Sequence, residues 1–87
     1  MSRKEKLIKR FLSQPKDFTY QEMVTMLSFL GYEEQTKGKT SGSRVRFHNY
    51  DKKSIIDIHR PHPANVIKSA TMKDVFEKLV TAKIITF

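Results

Sequence analysis

Apolar residues recur three or four positions apart in three segments of the chain, which is the spacing of one face of an α-helix. The first helix is predicted over residues 2–14. Ser2 and Glu5 have the spacing of a capping box, and Pro15 ends the segment because its ring cannot continue the helical hydrogen bonds. The apolar face of this helix consists of Leu7, Ile8, Phe11 and Leu12.

The second and third helices have start signals of the same kind. Thr19 and Glu22 predict a capping box for the second helix, and Gly31 predicts its end because glycine readily adopts the left-handed conformation. Thr71 and Asp74 predict the start of the third helix. The two apolar faces consist of Tyr20, Met23, Val24, Leu27 and Leu30, and of Met72, Val75, Phe76, Leu79 and Val80.

Between the second and third helices the pattern changes to strict alternation, which predicts β-strands. Two clear strands are expected over Arg44–His48 and Ser54–His59, joined by a turn at Asn49–Lys53. A weaker strand is predicted over Tyr32–Lys37, followed by a Gly/Ser-rich loop. The positions expected to face the core are Val45 and Phe47 in one strand and Ile56 and Ile58 in the other.

The other side of these two strands is rich in arginine and histidine. Because the two buried pairs must share one sheet face, the most compact turn places Arg44 opposite His59. It also places Arg46 opposite Asp57, whereas a slip of two residues would place His48 opposite Asp57 instead. In either arrangement, one face of the hairpin holds two arginines, two histidines and one aspartate.

The order of the predicted elements is helix, helix, three strands, helix. This order predicts an α+β protein whose helices cover one face of a three-stranded antiparallel sheet, so that the other face is open. With 87 residues, the chain is expected to form a single domain, near the size at which one hydrophobic core is just sufficient.

Positive charge is concentrated in two blocks of the sequence. The net charge is +8, and residues 1–16 carry +5 and residues 37–68 carry +6, whereas residues 17–36 carry −4. Such segregation indicates an anionic partner, either a nucleic acid or an acidic protein surface. The chain has no cysteine and no run of about 20 apolar residues, and its N-terminus lacks the apolar core of a signal peptide. We therefore expect a cytoplasmic protein without a membrane partner.

The second basic block also contains all three histidines, His48, His59 and His62. Imidazoles beside cations are suited to cleaving phosphodiesters, because one group moves protons and the other stabilises developing negative charge. RNA supplies its own nucleophile, the 2′-hydroxyl, so few protein groups are needed. A metal site would have to combine His59, His62 and Asp57, but carboxylates are scarce in this block, and no cofactor is expected.

Three motifs resemble those of one known family. They are YQEMVTMLSFLGY (Tyr20–Tyr32), KTSGSRVRF (Lys39–Phe47), and HRPHP followed by Lys68. Their order and spacing are similar to the HicA family of bacterial toxin–antitoxin systems. The resemblance implies an mRNA interferase on a double-stranded-RNA-binding-domain-like fold, with the antitoxin HicB as partner. It assigns residues 19–82 to the family core and residues 1–16 to an N-terminal helical extension.

The chain departs from the family pattern at the expected catalytic residue. In the family a histidine follows the Gly-Ser pair by one or two positions, and here those positions are Arg44 and Val45. Arginine can bind a phosphate but stays protonated, so it is a poor general base. Proton transfer would then fall to His59, the predicted cross-strand neighbour of Arg44, or to His48 or His62.

The function predicted from the sequence is therefore a metal-independent endoribonuclease with several basic RNA contacts. One alternative is a non-catalytic RNA-binding module on the same fold. Another is a DNA-binding module that uses the two N-terminal helices, which is less favoured because the second helix has no lysine or arginine. The residues predicted to bind RNA are Lys37, Lys39, Ser43, Arg46, Arg60 and Lys68.

Overall fold

The computed structural model of the protein describes residues 2–35, 44–61 and 65–85. Its elements are α1 (Arg3–Leu12), α2 (Tyr20–Phe29), β1 (Glu33–Gln35), β2 (Arg44–Asn49), β3 (Ser54–His59) and α3 (Ser69–Thr81). This α-α-β-β-β-α order confirms the predicted α+β fold class. The loop predicted after the first strand lies outside the described residues.

Hydrogen bonds at both ends of α1 define its length. The Ser2 hydroxyl accepts a hydrogen bond from the Glu5 N–H at 3.2 Å, which is one of the two bonds of the predicted capping box. After Leu12 the chain turns away, and Gln14 adopts a left-handed φ of 51° while its side chain donates to the Phe11 carbonyl. The helix therefore ends at Leu12, two residues before the predicted end at Gln14 and before the chain reaches Pro15.

The predicted capping box and the predicted glycine at the end of α2 are both confirmed. The Thr19 hydroxyl accepts from the Glu22 N–H at 3.1 Å, and the Glu22 carboxylate accepts from the Thr19 N–H at 2.9 Å. At the other end, Gly31 has φ 93°, and the Tyr32 N–H donates to the Leu27 carbonyl. This is a Schellman motif, which turns the chain directly from α2 into β1.

The predicted start of α3 is wrong by three residues. The helix begins at Ser69, with Lys68 as N-cap and without a side-chain cap, so Thr71 and Asp74 lie inside it. The chain just before the helix is fixed from outside, because the Ile67 N–H donates to the Phe18 carbonyl at 2.8 Å and Val66 bridges to Thr19. This tertiary attachment, rather than a local capping box, sets where α3 begins.

The three strands form one antiparallel sheet in the order β1-β2-β3. Arg44 lies opposite His59 and Arg46 opposite Asp57, which confirms the compact turn. The alternative slip is wrong, since His48 lies opposite Ile55 rather than Asp57.

One face of the sheet packs on the helices to form the core. The four apolar strand residues predicted to face the core are all at most 3% exposed. They pack with buried residues of each helix, including Phe11 of α1, Met23 of α2 and Leu79 of α3. The α3 face is less completely buried than predicted, because Phe76 is half-buried and Val80 is 38% exposed. Among the described helices, none is long and apolar enough to cross a membrane.

Candidate nucleic-acid interface

The sheet face opposite the helices carries a small set of mostly polar side chains. Strand alternation places them there, because each neighbours a residue that points into the core. The pairing of Glu33 with His48 and of Gln35 with Arg46 adds two β1 residues to the same face. We call this surface the open face, and its described members are Glu33, Gln35, Arg44, Arg46, His48, Ile55, Asp57 and His59.

Arg44 and His59 form the last cross-strand pair at one end of the open face. Both residues are exposed, and within the described part of the chain neither pairs with a carboxylate. Opposed residues of an antiparallel pair have Cβ atoms about 4.5–5.5 Å apart, so the guanidinium and the imidazole can reach one phosphate together. The structure therefore brings together the two residues that the sequence analysis placed first.

Arg46 lies one row further along the face and is already paired. Its Nε donates to Oδ1 of Asp57 at 2.9 Å, and this hydrogen bond raises the pKa of Arg46 above its ordinary value. The carboxylate cancels much of the charge that Arg46 would offer to a phosphate. The two arginines of β2 thus differ electrostatically, although the sequence presents them alike.

His48 is the other predicted histidine on this surface, but it lies far from Arg44. The two are four residues apart on one strand, which corresponds to about 14 Å at the usual rise of a strand. The His48 ring is half-buried and packs against Tyr50, with the ring centroids 4.0 Å apart. The structure therefore separates His48 from the Arg44–His59 pair.

Arg60 follows His59 but points away from the open face. Its guanidinium lies over the ring of Tyr20, 5.5 Å from the ring centroid. Burial raises the pKa of Tyr20, and the Arg60 cation partly offsets this effect. Arg60 therefore packs on the helix side of the sheet.

The remaining predicted site residues lie away from the open face or outside the described residues. Lys68 is exposed at the N-terminus of α3 and is not part of the sheet. No group of three or more potential metal ligands occurs among the described residues. The predicted site residues outside the described part of the chain are Lys37, Lys39, Ser43 and His62.

Two residues at the turn end of the open face, Asn49 and Tyr50, were not identified as important from the sequence. Asn49 is 3% exposed, donates from Nδ2 to the Leu30 carbonyl at 3.1 Å, and accepts from the Lys52 N–H at 3.0 Å. Strand parity could have found it, because position 49 continues the inward series of 45 and 47. Tyr50 follows in the turn, and its hydroxyl accepts from Nε2 of Gln35 at 2.6 Å. Nothing in the local sequence indicates that contact.

Comparison with known proteins gives a family for most of the chain. A family model with the description "HicA toxin of bacterial toxin-antitoxin" matches residues 20–80. The matched range begins at the first residue of α2, includes all three strands, and ends within α3. No curated protein and no solved structure gives a significant match.

Proposed function

The chain belongs to the HicA family of toxins from bacterial toxin–antitoxin systems, and on that premise we propose that it is an endoribonuclease that cleaves mRNA with Arg44 and His59 as its catalytic residues. Membership of the family implies an antitoxin partner. The observation that carries the proposal is the cross-strand pairing of an exposed arginine with an exposed histidine at the end of the open face. The reaction needs one group to hold a phosphate and another to accept a proton, and this pair offers both.

The position of the missing family histidine supports the assignment. Of the two positions at which the resemblance places it, Val45 is 3% exposed and faces the core, so a side chain there cannot reach RNA. Arg44 therefore occupies the place of the histidine. Because its guanidinium stays protonated, we assign it to phosphate binding and assign the proton transfer to His59.

In the proposed reaction His59 accepts the proton of a ribose 2′-hydroxyl. The 2′-oxygen attacks the adjacent phosphorus, and the bond from phosphorus to the 5′-oxygen breaks. The products are a 2′,3′-cyclic phosphate and a 5′-hydroxyl end, with Arg44 stabilising the charge on the phosphoryl oxygens. The leaving oxygen takes its proton from a general acid, and His62 is a candidate for that role from the sequence alone.

Further residues, most of them basic, would bind the RNA backbone. The protein carries a net charge of +8, so phosphate contacts are expected to supply much of the affinity. Arg46 adds to the pair on the open face, although Asp57 weakens its charge. The further proposed contacts are Lys37, Lys39, Ser43 and Lys68, and Arg60 would join them only by leaving its place over Tyr20.

We also propose that a HicB-like antitoxin inhibits the protein by covering the open face. A basic surface is best complemented by an acidic partner, which speeds association and excludes RNA. In this scheme residues 19–82 form the core that acts on RNA within one domain of residues 1–87. Residues 1–16 extend that core at its N-terminus.

Cleavage of single-stranded RNA in the presence of EDTA tests the enzymatic proposal. We expect fragments with 2′,3′-cyclic phosphate ends, and no cut where the attacking 2′-hydroxyl is replaced by hydrogen. His59→Ala should slow cleavage about 10²–10⁴-fold, the usual contribution of a general base. Lys73→Ala, at an exposed position of α3, is the matched surface control and should cleave at the wild-type rate.

A second candidate function is a non-catalytic RNA-binding module, and the specific observation in its favour is arginine in place of the family histidine. This candidate predicts that the protein binds RNA without cutting it and that His59→Ala changes nothing. Arg44→His would then be expected to create cleavage in a protein that lacks it. Wild-type cleavage in EDTA that depends on His59 would rule this candidate out.

A further inference from the structure

The open face has a second half that the proposed reaction does not use. At the turn end, His48, Tyr50 and Ile55 form a surface that is largely aromatic and apolar. We call these three residues the stacking platform. Tyr50 is 57% exposed and Ile55 is 42% exposed, and Ile55 lies directly opposite His48 in the sheet.

The rings of the platform are held in place from several sides. The His48 and Tyr50 rings lie 4.0 Å apart at an interplanar angle of 39°. The Tyr50 hydroxyl accepts a hydrogen bond of 2.6 Å from Gln35, which fixes the ring from the edge strand. An exposed tyrosine fixed in this way offers a flat face to a ligand without a large loss of side-chain entropy on binding.

Charge around the platform favours a base over a phosphate. Glu33 lies opposite His48 on the edge strand, and its exposed carboxylate would repel a phosphate. The same carboxylate can accept hydrogen bonds from the N–H groups of a nucleobase. Phosphates are instead attracted to the other end of the face, where Arg44 lies and no carboxylate pairs with it among the described residues.

We propose that the stacking platform binds an unpaired base of the RNA whose backbone is held at Arg44 and His59. The proposal rests on the proposed function and adds to it a site for a base. The platform lies about 14 Å along β2 from Arg44, so it would bind a base at most about four stacked nucleotides from the cut, at roughly 3.4 Å each. Single-stranded RNA is commonly bound in this way, by stacking its splayed bases on aromatic side chains.

Binding of a short single-stranded 2′-O-methyl RNA, which cannot be cleaved because its nucleophile is blocked, tests the platform. Tyr50→Ala should weaken binding about 5- to 150-fold, the range expected for one stacked base. Tyr50→Phe keeps the ring and should bind within about twofold of wild type. Val80→Ala removes an exposed apolar side chain on α3 and is the matched control, with unchanged affinity expected.

Tyrosine fluorescence gives an independent measurement, because the protein has no tryptophan and its other two tyrosines, Tyr20 and Tyr32, are buried. RNA should quench the emission of the wild-type protein. Tyr50→Phe should bind the RNA with almost no quenching, which would attribute the signal to the platform.

Different outcomes of this test would contradict the platform alone or the proposed function as well. If the wild type binds RNA, Arg44→Ala weakens that binding and Tyr50→Ala does not, the platform is overturned while the proposed function stands. If Tyr50→Ala leaves RNA binding intact but weakens the complex with the antitoxin, the surface binds protein and the inference is wrong. Absence of any RNA binding by the wild type would overturn the proposed function as well.

Discussion

The Nε of Arg46 donates a hydrogen bond of 2.9 Å to Oδ1 of Asp57, one row inside the Arg44–His59 pair. Because of this contact, Arg46 is paired with a carboxylate, whereas Arg44 has no carboxylate partner among the residues that the structure describes. The Asp57 carboxylate offsets the charge of Arg46 in the second row of the open face. Arg44, in the first row, therefore attracts a phosphate more strongly. In the proposed function, the Arg46–Asp57 pair would therefore help to locate the phosphate at the end of the face where His59 lies.

Removing the carboxylate of this pair should strengthen RNA binding. Asp57→Asn keeps the size of the side chain and frees the full charge of Arg46. We expect a lower Kd for single-stranded RNA, and a salt dependence steeper by roughly 0.7 in log–log slope for each added phosphate contact. Fluorescence anisotropy over a series of salt concentrations measures both quantities. Asp51→Asn in the exposed turn is the control, and equal effects of the two variants would contradict the role given to Asp57.

The ion pair between α1 and α2 should make stability depend on pH. Nε of Arg10 donates to Oε2 of Glu22 at 2.7 Å, and this contact is the main reason that the pKa of Glu22 lies below its ordinary value of 4.5. A carboxyl with a lowered pKa stabilises the fold above 4.5, and that contribution is lost as the pH falls through the lowered value. The wild type should therefore lose this contribution in acid.

Glu22→Gln tests that expectation, because glutamine at this position can keep the capping-box bond while losing the charge. The Tm of the variant should fall below that of the wild type at pH 7, and the difference should disappear as the pH falls below 4.5. Glu77→Gln, on the exposed side of α3, is the control and should show a smaller difference at pH 7. A constant Tm difference at all pH values would show that charge is not the cause.

Asn49 should contribute more to the free energy of unfolding than an exposed asparagine does. Its side chain is buried between the Leu30 carbonyl and the Lys52 N–H, so Asn49→Ala would leave both groups without this partner. We expect a loss of about 1–3 kcal/mol in the free energy of unfolding, the cost of unsatisfied buried polar groups. Urea denaturation measures it. Asn65→Ala, at an exposed position, should cost much less, and similar losses would contradict this account.

Local sequence signals predicted much of the fold. Alternation in β2 and β3 predicted the buried positions. One shared buried face left two registers open, and the more compact turn predicted the observed pairing of Arg44 with His59. The capping box and the glycine of α2 were confirmed because they act within one turn of the helix. These features depend on contacts between residues close in the chain or on a strict period of two.

Features that depend on distant contacts could not be predicted in the same way. The start of α3 is set by the attachment of Ile67 to Phe18, 49 positions apart in the sequence. The sequence also gives no sign that the Arg60 guanidinium lies over the ring of Tyr20, 40 positions earlier in the chain. The contact of Tyr50 with Gln35 depends on how the edge strand lies beside β2, which residue types alone do not determine.

The central claim is that Arg44 and His59 act together on one phosphate, and a double-mutant cycle of RNA cleavage tests it most directly. Single-turnover rates in EDTA would be compared for the wild type, Arg44→Ala, His59→Ala and the double variant, at one salt concentration and with RNA binding saturated. Groups that act as a unit are strongly non-additive. We predict that each single variant loses most of the activity and that the double variant is little slower than the slower single one. Wild-type cleavage rates in His59→Ala, or independent and additive losses in the double variant, would contradict the claim.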